Sequence, residues 1–298
     1  MTKPIATEAV MTEAVMTTSF GARLGLAMDD LGPLCVGIDP HPGLLAHWGQ
    51  ADSVQGLEMF AMTCVEALAG TVAVVKPQSA FFERFGSAGV TVLERVLSGL
   101  REAGTLSLLD VKRGDIGSTM TAYAWAYLSQ DSPLGADAIT VSPFLGFESL
   151  RPALDLALAN GRGLFVLTLT SNPEGAGVQH AVVGGRSVAG GIVDAVTSQN
   201  AADAKAGVLG SVGMVVGATV GSAVQDLHLD LASANAPLLA PGVGAQGGTA
   251  EDLRRVFGAA LPRVLASSSR EVLAAGPDVA ALRAAARDTA SRLGDLVA

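Results

Sequence analysis

Eight short apolar runs, most of them followed by polar residues, Gly or Pro, recur along the chain and constrain its fold more than any other feature. Each run is nearly continuous in Val, Leu and Ile, which is typical of strands buried on both faces of a parallel sheet. The runs are LCVGID (34–39), VAVVKP (72–77), LSLLDVK (106–112), AITVSP (138–143), LFVLTLT (164–170), GMVVGATV (213–220), PLLAPGVG (237–244) and RVLASSS (263–269).

Segments with the apolar spacing of helices separate these runs. The segment 54–68 follows Ser53, a residue suited to cap a helix, and places Leu57 and Phe60 near one face. Similar segments are 90–102, 119–128, 147–159, 188–204, 222–232, 250–257 and 279–293.

Eight strand–helix units in sequence predict an α/β fold, a single-domain (β/α)₈ TIM barrel over residues 19–298. The length of 298 residues suits such a barrel. A doubly wound sheet is the alternative, and the count of eight favours the barrel. Residues 1–18 are expected to form a poorly ordered tail, and Met11 and Met16 leave the true start of the protein open.

The charge and composition narrow the classes of partner. A net charge of −9 disfavours nucleic acid and anionic membranes, but a locally basic pocket for an anionic substrate remains compatible with it. The sequence has no apolar stretch of membrane-spanning length, and its N-terminus lacks the basic start and apolar core of a signal peptide. We therefore expect a cytoplasmic protein.

The cysteines and histidines do not indicate a metal centre. Cys35 and Cys64 lie in apolar contexts, so we expect buried, reduced thiols rather than a disulfide or metal ligands. The histidines are scattered and are expected to be solvated or in loops; they are His41, His47, His180 and His228.

Charged residues fall where the predicted strands end. Asp39 ends the first strand and Lys76 the second, while Asp110 and Lys112 lie two residues apart on the third and point to the same side. Active sites of these barrels lie at the carboxyl ends of the strands. Two carboxylates and two ammoniums at one rim therefore predict a catalytic array, although any one of them alone would suit a solvated loop.

The last two predicted strands are followed by residues suited to phosphate. The stretch GVGAQGG (242–248) can offer backbone N–H groups, and SSSR (267–270) ends in Arg270, whose guanidinium suits a phosphate dianion. No Walker-type or Rossmann fingerprint occurs in the right context, which disfavours a nucleoside triphosphate or NAD. A long Gly-rich connection, residues 171–186, follows the fifth strand and is predicted to act as a lid.

The stretch DVKRGDIGST (110–119) has the D-x-K-x-x-D pattern of orotidine 5′-phosphate decarboxylases. Together with KPQSAFFERFG (76–86), PGVGAQGG (241–248) and SSSR in that order, it resembles the longer bacterial, type 2 branch of that family, from about residue 39 to 270. The resemblance implies decarboxylation of orotidine 5′-monophosphate to uridine 5′-monophosphate and CO₂ in de novo pyrimidine biosynthesis, without metal or cofactor. It also implies a homodimer with shared active sites.

The resemblance assigns a role to each matching residue. Lys112 would protonate C6 of the pyrimidine, Asp110 would face the substrate carboxylate, and Lys76 would pair with Asp110 and contact the ribose. Asp115, accompanied by Ile116 and Thr119, would reach the ribose in the other subunit. The remaining implied contacts are Asp39 to a ribose hydroxyl, Ser171 to the pyrimidine, and Gln246, Gly247, Gly248 and Arg270 to the phosphate.

Two positions depart from the family pattern. Ser142 stands where this branch is expected to have asparagine, and Ser269 where shorter members often have glycine; neither change removes a catalytic group.

Two other functions compete with this interpretation. A metal-dependent barrel acting on a ribulose or gulonate phosphate shares the D-x-K-x-x-D pattern, but Lys76 occupies the position of its acidic ligand. A non-catalytic phosphate-binding barrel would be expected to lack part of the array.

Overall fold

The computed structural model describes residues 18–244 and 247–297. Within them, eight parallel strands form a closed barrel in which each strand pairs with its neighbours in the chain and the first pairs with the eighth. The strands are Leu34–Ile38, Val74–Pro77, Leu106–Arg113, Ala138–Val141, Gly163–Leu169, Val212–Val216, Leu238–Pro241 and Val264–Ser268. The predicted (β/α)₈ barrel is confirmed, and the doubly wound alternative is excluded.

The predicted division into a tail, 1–18, and a barrel domain, 19–298, stays a prediction, since residues 1–17 lie outside the described range. Among the described helices, none combines the length and apolar composition that crossing a membrane requires. Both cysteines are free and buried, as predicted.

The longer helices pack around the barrel. Ser53 caps its helix as predicted, because its side chain accepts a hydrogen bond of 3.2 Å from the N–H of Gly56. The α-helices of six or more residues are Phe20–Leu31, Pro42–His47, Val54–Leu68, Gly86–Glu102, Gly117–Leu128, Arg151–Ala159, Val188–Gln199, Ala250–Phe257 and Val279–Val297. The shorter ones are Ser79–Glu83, Ala176–Gln179, Ala201–Lys205, Ala223–Asp226 and Arg270–Leu273, with 3₁₀ turns at Phe147–Leu150, Pro173–Gly175 and Gly258–Arg263.

Two predicted helices end early or are interrupted in the structure. The segment 222–232 is helical only over Ala223–Asp226, because His228 adopts a φ of 50° that ends the helix. The segment 188–204 is interrupted at Asn200, whose buried side chain hydrogen-bonds the backbone N–H and carbonyl of Val212 instead of facing solvent.

A helix that the sequence analysis did not predict, Phe20–Leu31, covers the amino-terminal end of the barrel. Its Phe20 ring meets Phe165 edge-on, with ring centroids 6.1 Å apart. A Cβ atom at Gly163 would collide with the Phe20 ring, so only glycine fits there. The barrel interior at the amino-terminal ends of the strands is therefore filled with apolar side chains, and the polar cavity lies at the carboxyl ends.

The connection after the fifth strand is structured rather than an open loop. It holds the turn Pro173–Gly175, the helix Ala176–Gln179 and a hairpin of Val182–Val183 with Arg186–Ser187. The Gln179 amide accepts the backbone N–H of Thr170 at 2.8 Å and donates to its hydroxyl at 2.8 Å, which ties the connection to the strand end. Its movement as a lid stays a prediction.

We expect Phe20→Ala to lower the free energy of unfolding by about 3–5 kcal/mol, because it leaves a cavity at the base of the barrel. The matched control is Leu26→Ala, since Leu26 lies on the same helix but is exposed, and it should change stability by less than about 0.5 kcal/mol. Urea unfolding measures both. Equal losses in the two variants would contradict this account of the barrel base.

Candidate active site

A cavity of about 330 Å³ opens at the carboxyl ends of the strands. Its wall includes six of the predicted site residues, which come from the first, second, third, fifth and eighth strand ends. They are Asp39, Lys76, Asp110, Lys112, Ser171 and Arg270. The structure therefore brings the predicted charged array and two further predicted substrate contacts, Ser171 and Arg270, into one place.

The carboxylate of Asp110 is the centre of the array. Its Oδ1 lies 2.6 Å from Nζ of Lys112, and its Oδ2 lies 3.3 Å from Nζ of Lys76. The Asp110 and Lys76 side chains are only 9% and 8% exposed, whereas that of Lys112 is 48% exposed and extends into the cavity. One ammonium is thus buried with the carboxylate, and the other is accessible to a substrate.

The third strand is irregular where it carries the array. Its pairing with the fourth strand shifts register between Leu109 and Arg113, and Lys112 adopts a φ of 45°. This left-handed conformation is rare for a residue with a side chain and costs on the order of 1 kcal/mol. The backbone of Lys112 is held there by the hydroxyl of Thr140, which accepts its N–H at 2.9 Å.

The electrostatics keep the buried pair ionised. Burial alone would raise the pKa of Asp110, but the Lys76 and Lys112 ammoniums together lower it well below its ordinary value. Burial would lower the pKa of Lys76, and the carboxylates of Asp39 and Asp110 instead raise it above its ordinary value. Beneath them, burial raises the pKa of the Cys35 thiol to about 12, so this side chain stays neutral.

Residues that had no predicted role also line the cavity, among them Gln78, Thr140 and His41. Gln78 donates from Nε2 to Oδ2 of Asp110 at 2.8 Å, and Thr140 donates to Oδ1 at 2.7 Å. His41 lines the cavity, with its ring 4.3 Å from that of Phe81. Each of these residues lies in or next to a sequence stretch that was already of interest. Its contact in the site, however, depends on how distant parts of the chain come together, and no sequence pattern predicts that contact.

Asp39 offers the cavity an unused acceptor. Its Oδ1 is buried and has no hydrogen-bond partner among the described residues. A Cβ atom at Gly37 would come within 2.8 Å of Asp39 Oδ2 and would collide with the hydroxyl of Ser269. Glycine at 37 therefore leaves room for both polar side chains, and the free oxygen suits a hydroxyl donated by a ligand.

The predicted phosphate residues are only partly assembled. Arg270 lines the cavity at the start of a short helix. The N–H of Gly247 donates to Gly244 at 2.8 Å and that of Gly248 donates to Gly242 at 2.9 Å, so both are used inside the loop. Gln246 lies outside the described residues.

The structure does not bring the second aspartate to the cavity of its own chain. Asp115 accepts the N–H of Ile116 at 2.8 Å, and Ile116 is 61% exposed. Thr119 is also exposed, on the helix that follows. A second cavity, of about 300 Å³, shares Gln78, Asp110 and Lys112 with the first and opens beside them.

Metal ligands are not grouped in the described part of the chain, where no three His, Cys, Asp or Glu side chains are placed to hold one ion.

Comparison with known proteins identifies the family. The model of the orotidine 5′-phosphate decarboxylase / HUMPS family matches residues 32–285. The chain belongs to this family. An orotidine 5′-phosphate decarboxylase of Salinispora arenicola (strain CNS-205) is 65% identical over 269 residues, 90% of this chain and 94% of that protein. One of Streptomyces coelicolor is 60% identical over 268 residues, again 90% and 94% of the two chains.

A crystal structure assigned as an orotidine 5′-phosphate decarboxylase from Streptomyces avermitilis superposes on this family member with a TM-score of 0.89. The two chains are 58% identical, and the match covers 94% of this chain and 96% of that one. The resemblance seen in the sequence is therefore confirmed at the level of the family and of the fold.

We expect Asp110→Asn to lower the free energy of unfolding at neutral pH by about 3 kcal/mol, because the buried Lys76 loses one of its two facing carboxylates. The pKa of Asp110 is depressed in the folded protein, so its ionised form stabilises the fold above the ordinary carboxyl pKa of about 4. That stabilisation is lost as the pH falls further, toward the lower pKa of the folded state. The gap between wild type and variant should therefore narrow below about pH 4.

Chemical unfolding at a series of pH values measures this gap. The control is Asp155→Asn, since Asp155 lies at the surface, 3.9 Å from Arg151, and should change stability by less than about 0.5 kcal/mol. A gap that is constant with pH would mean that ionised Asp110 does not stabilise the fold.

Proposed function

We propose that this chain decarboxylates orotidine 5′-phosphate to uridine 5′-phosphate and CO₂ in de novo pyrimidine biosynthesis, with no metal or cofactor taking part. Family membership and the names of its relatives support the reaction. The observation that carries the mechanism is the Asp110 carboxylate held between a buried ammonium, Lys76, and an accessible one, Lys112. A cytoplasmic location fits an enzyme whose substrate is a phosphorylated, water-soluble nucleotide.

The reaction needs stabilisation of negative charge at one carbon. When the bond from C6 to the carboxylate breaks, CO₂ leaves and the electron pair stays on C6, where the ring cannot delocalise it well. An ammonium held beside C6 stabilises that charge and then delivers the proton. Lys112 suits this role, because its side chain is anchored by Asp110 at 2.6 Å and still extends into the cavity.

Asp110 favours the same step by destabilising the bound substrate before CO₂ leaves. A buried carboxylate that stays ionised repels the carboxylate of the substrate, and that repulsion disappears when CO₂ leaves. Lys76 holds Asp110 in its ionised form and lies where it can also reach a ribose hydroxyl. The ground state is thereby disfavoured relative to the carbanion.

The rest of the substrate is bound around this centre. Asp39 has a free carboxylate oxygen for a ribose hydroxyl, and Ser171 lies at the cavity wall for the pyrimidine. Arg270 is placed for the phosphate, and we assign Gln246 to it as well. Gly247 and Gly248 would join them once the loop releases the two backbone N–H groups that it now uses internally.

We further propose that the site is shared between the subunits of a homodimer. Asp115, Ile116 and Thr119 lie outside the cavity of their own chain and are available to a second copy. The second cavity, beside Asp110 and Lys112, can accept the partner's Asp115, whose carboxylate would there face the Lys112 ammonium. Large exposed apolar side chains on the connections after the third and fourth strands fit such an interface; they are Ile116, Trp125, Phe144 and Leu145.

We expect wild-type protein to consume orotidine 5′-phosphate in the presence of EDTA, and Lys112→Ala to lower kcat by at least about 1000-fold. The fall follows from the loss of both the stabilising ammonium and the proton donor. The decrease in substrate absorbance measures turnover, and Lys205→Ala, at an exposed lysine remote from the cavity, is the control. Folded wild type that acts only on a sugar phosphate, with Mg²⁺ added, would overturn the proposal.

Mixing two defective variants tests the shared site. We expect Lys112→Ala and Asp115→Ala homodimers each to be impaired. After subunits exchange, hybrid dimers hold one site with both defects and one intact site, so activity should recover to about one quarter of wild type. Recovery monitored after reversible denaturation of the mixture provides the readout. No recovery, although gel filtration shows dimers, would mean that each site is built from one chain.

A further inference from the structure

Two neutral side chains share the Asp110 carboxylate with the two lysines. Gln78 and Lys76 donate to Oδ2 at 2.8 and 3.3 Å, and Thr140 and Lys112 donate to Oδ1 at 2.7 and 2.6 Å. Each oxygen therefore accepts from one ammonium and one neutral group. An ionised carboxylate has about four acceptor sites, so this carboxylate is saturated and any rotation breaks hydrogen bonds at both oxygens.

Hydrogen bonds to neighbouring strands hold the two neutral donors in place. Thr140 is buried in the fourth strand, and its hydroxyl also accepts the backbone N–H of Lys112 at 2.9 Å. The backbone N–H of Gln78 donates to Ile38 at 3.2 Å, which fixes it against the first strand. The Lys112 side chain, in contrast, is half exposed.

We propose that Gln78 and Thr140 are positioning residues that hold the Asp110 carboxylate toward the substrate while Lys112 gives up its proton. The inference rests on the proposed decarboxylation. As the proton passes from Nζ of Lys112 to the electron pair on C6, the ammonium becomes a neutral amine and attracts Asp110 less strongly. The hydrogen bonds from Gln78 and Thr140 involve no group that changes charge, so they keep the carboxylate in place through that step.

Thr140 has a second positioning effect, on Lys112 itself. Lys112 has a left-handed backbone, with φ at 45°, and its side chain lines the cavity. The hydroxyl of Thr140 is the acceptor for that backbone N–H. One hydroxyl thus holds both the carboxylate and the backbone of the proton donor.

Substitutions that keep shape and remove donors test the proposal. Thr140→Val keeps the branched side chain, and Gln78→Met keeps the length without the amide. We expect each to lower the single-turnover rate of decarboxylation by about 10- to 100-fold, the size expected for a hydrogen bond to a charged group. KM should change by less than about threefold, because neither residue is assigned a contact with substrate. Thr140→Ser, which restores the hydroxyl, should return the rate to within about threefold of wild type.

Two matched controls separate positioning from folding. Thr168→Val makes the same change in the fifth strand, where the buried hydroxyl donates to Val166 at 3.0 Å and lines no part of the cavity. Gln225→Met makes the glutamine change at an exposed site, where the amide donates to the carbonyl of Arg255. Both should keep the wild-type rate, and circular dichroism on heating monitors the folding of every variant.

The outcomes distinguish this inference from the function on which it rests. Wild-type single-turnover rates in folded Thr140→Val and Gln78→Met would overturn the inference and leave decarboxylation standing. A Thr140→Ser variant as slow as Thr140→Val would overturn the role of the hydroxyl. Folded wild-type protein with no turnover of orotidine 5′-phosphate would overturn the function and the inference together.

Discussion

Closure of the barrel is the constraint on which the rest of the structure depends. The first strand pairs with the eighth, with Leu34 opposite Ala266, so the two ends of the sheet meet. Because all eight strands are parallel, their carboxyl ends reach one rim whatever their place in the sequence. Asp39 and Arg270 come from opposite ends of the described chain and line the same cavity for this reason. The apolar packing of Phe20 at the other end leaves this rim as the place for polar side chains.

The second constraint is that charge can be buried only in pairs. An isolated carboxylate or ammonium at the depth of Asp110 or Lys76 would be strongly disfavoured. Placing them together, with Asp39 also facing Lys76, reverses the effect of burial and keeps both groups ionised. The interaction that lets the fold tolerate these charges is also the one that the proposed reaction uses. Stability and chemistry therefore depend on the same carboxylate.

Much of the fold could be predicted because a strand that is buried on both faces of the sheet appears in the sequence as a continuous apolar run. All eight strands were found from their continuous apolar runs, and the helix Val54–Leu68 from its spacing and its cap. The helix Phe20–Leu31 was missed, because it precedes the first strand and falls outside the strand–helix repeat. The helix expected over 222–232 was too long, since the turn at His228 depends on a backbone conformation that apolar spacing does not specify.

By itself, the sequence determined the barrel, the family and the identity of the charged groups at the rim, since strand burial and the spacing of Asp110 and Lys112 are local patterns. Only the tertiary structure decided that Gln78 and Thr140 complete the hydrogen bonds of Asp110, and that Asp115 lies outside the cavity of its own chain. The contacts of Asp110 join residues about 30 positions apart in the chain, and they depend on strand register and on the irregular pairing between Leu109 and Arg113. No local pattern of side chains specifies the strand register or this irregular pairing, because both arise when the sheet closes.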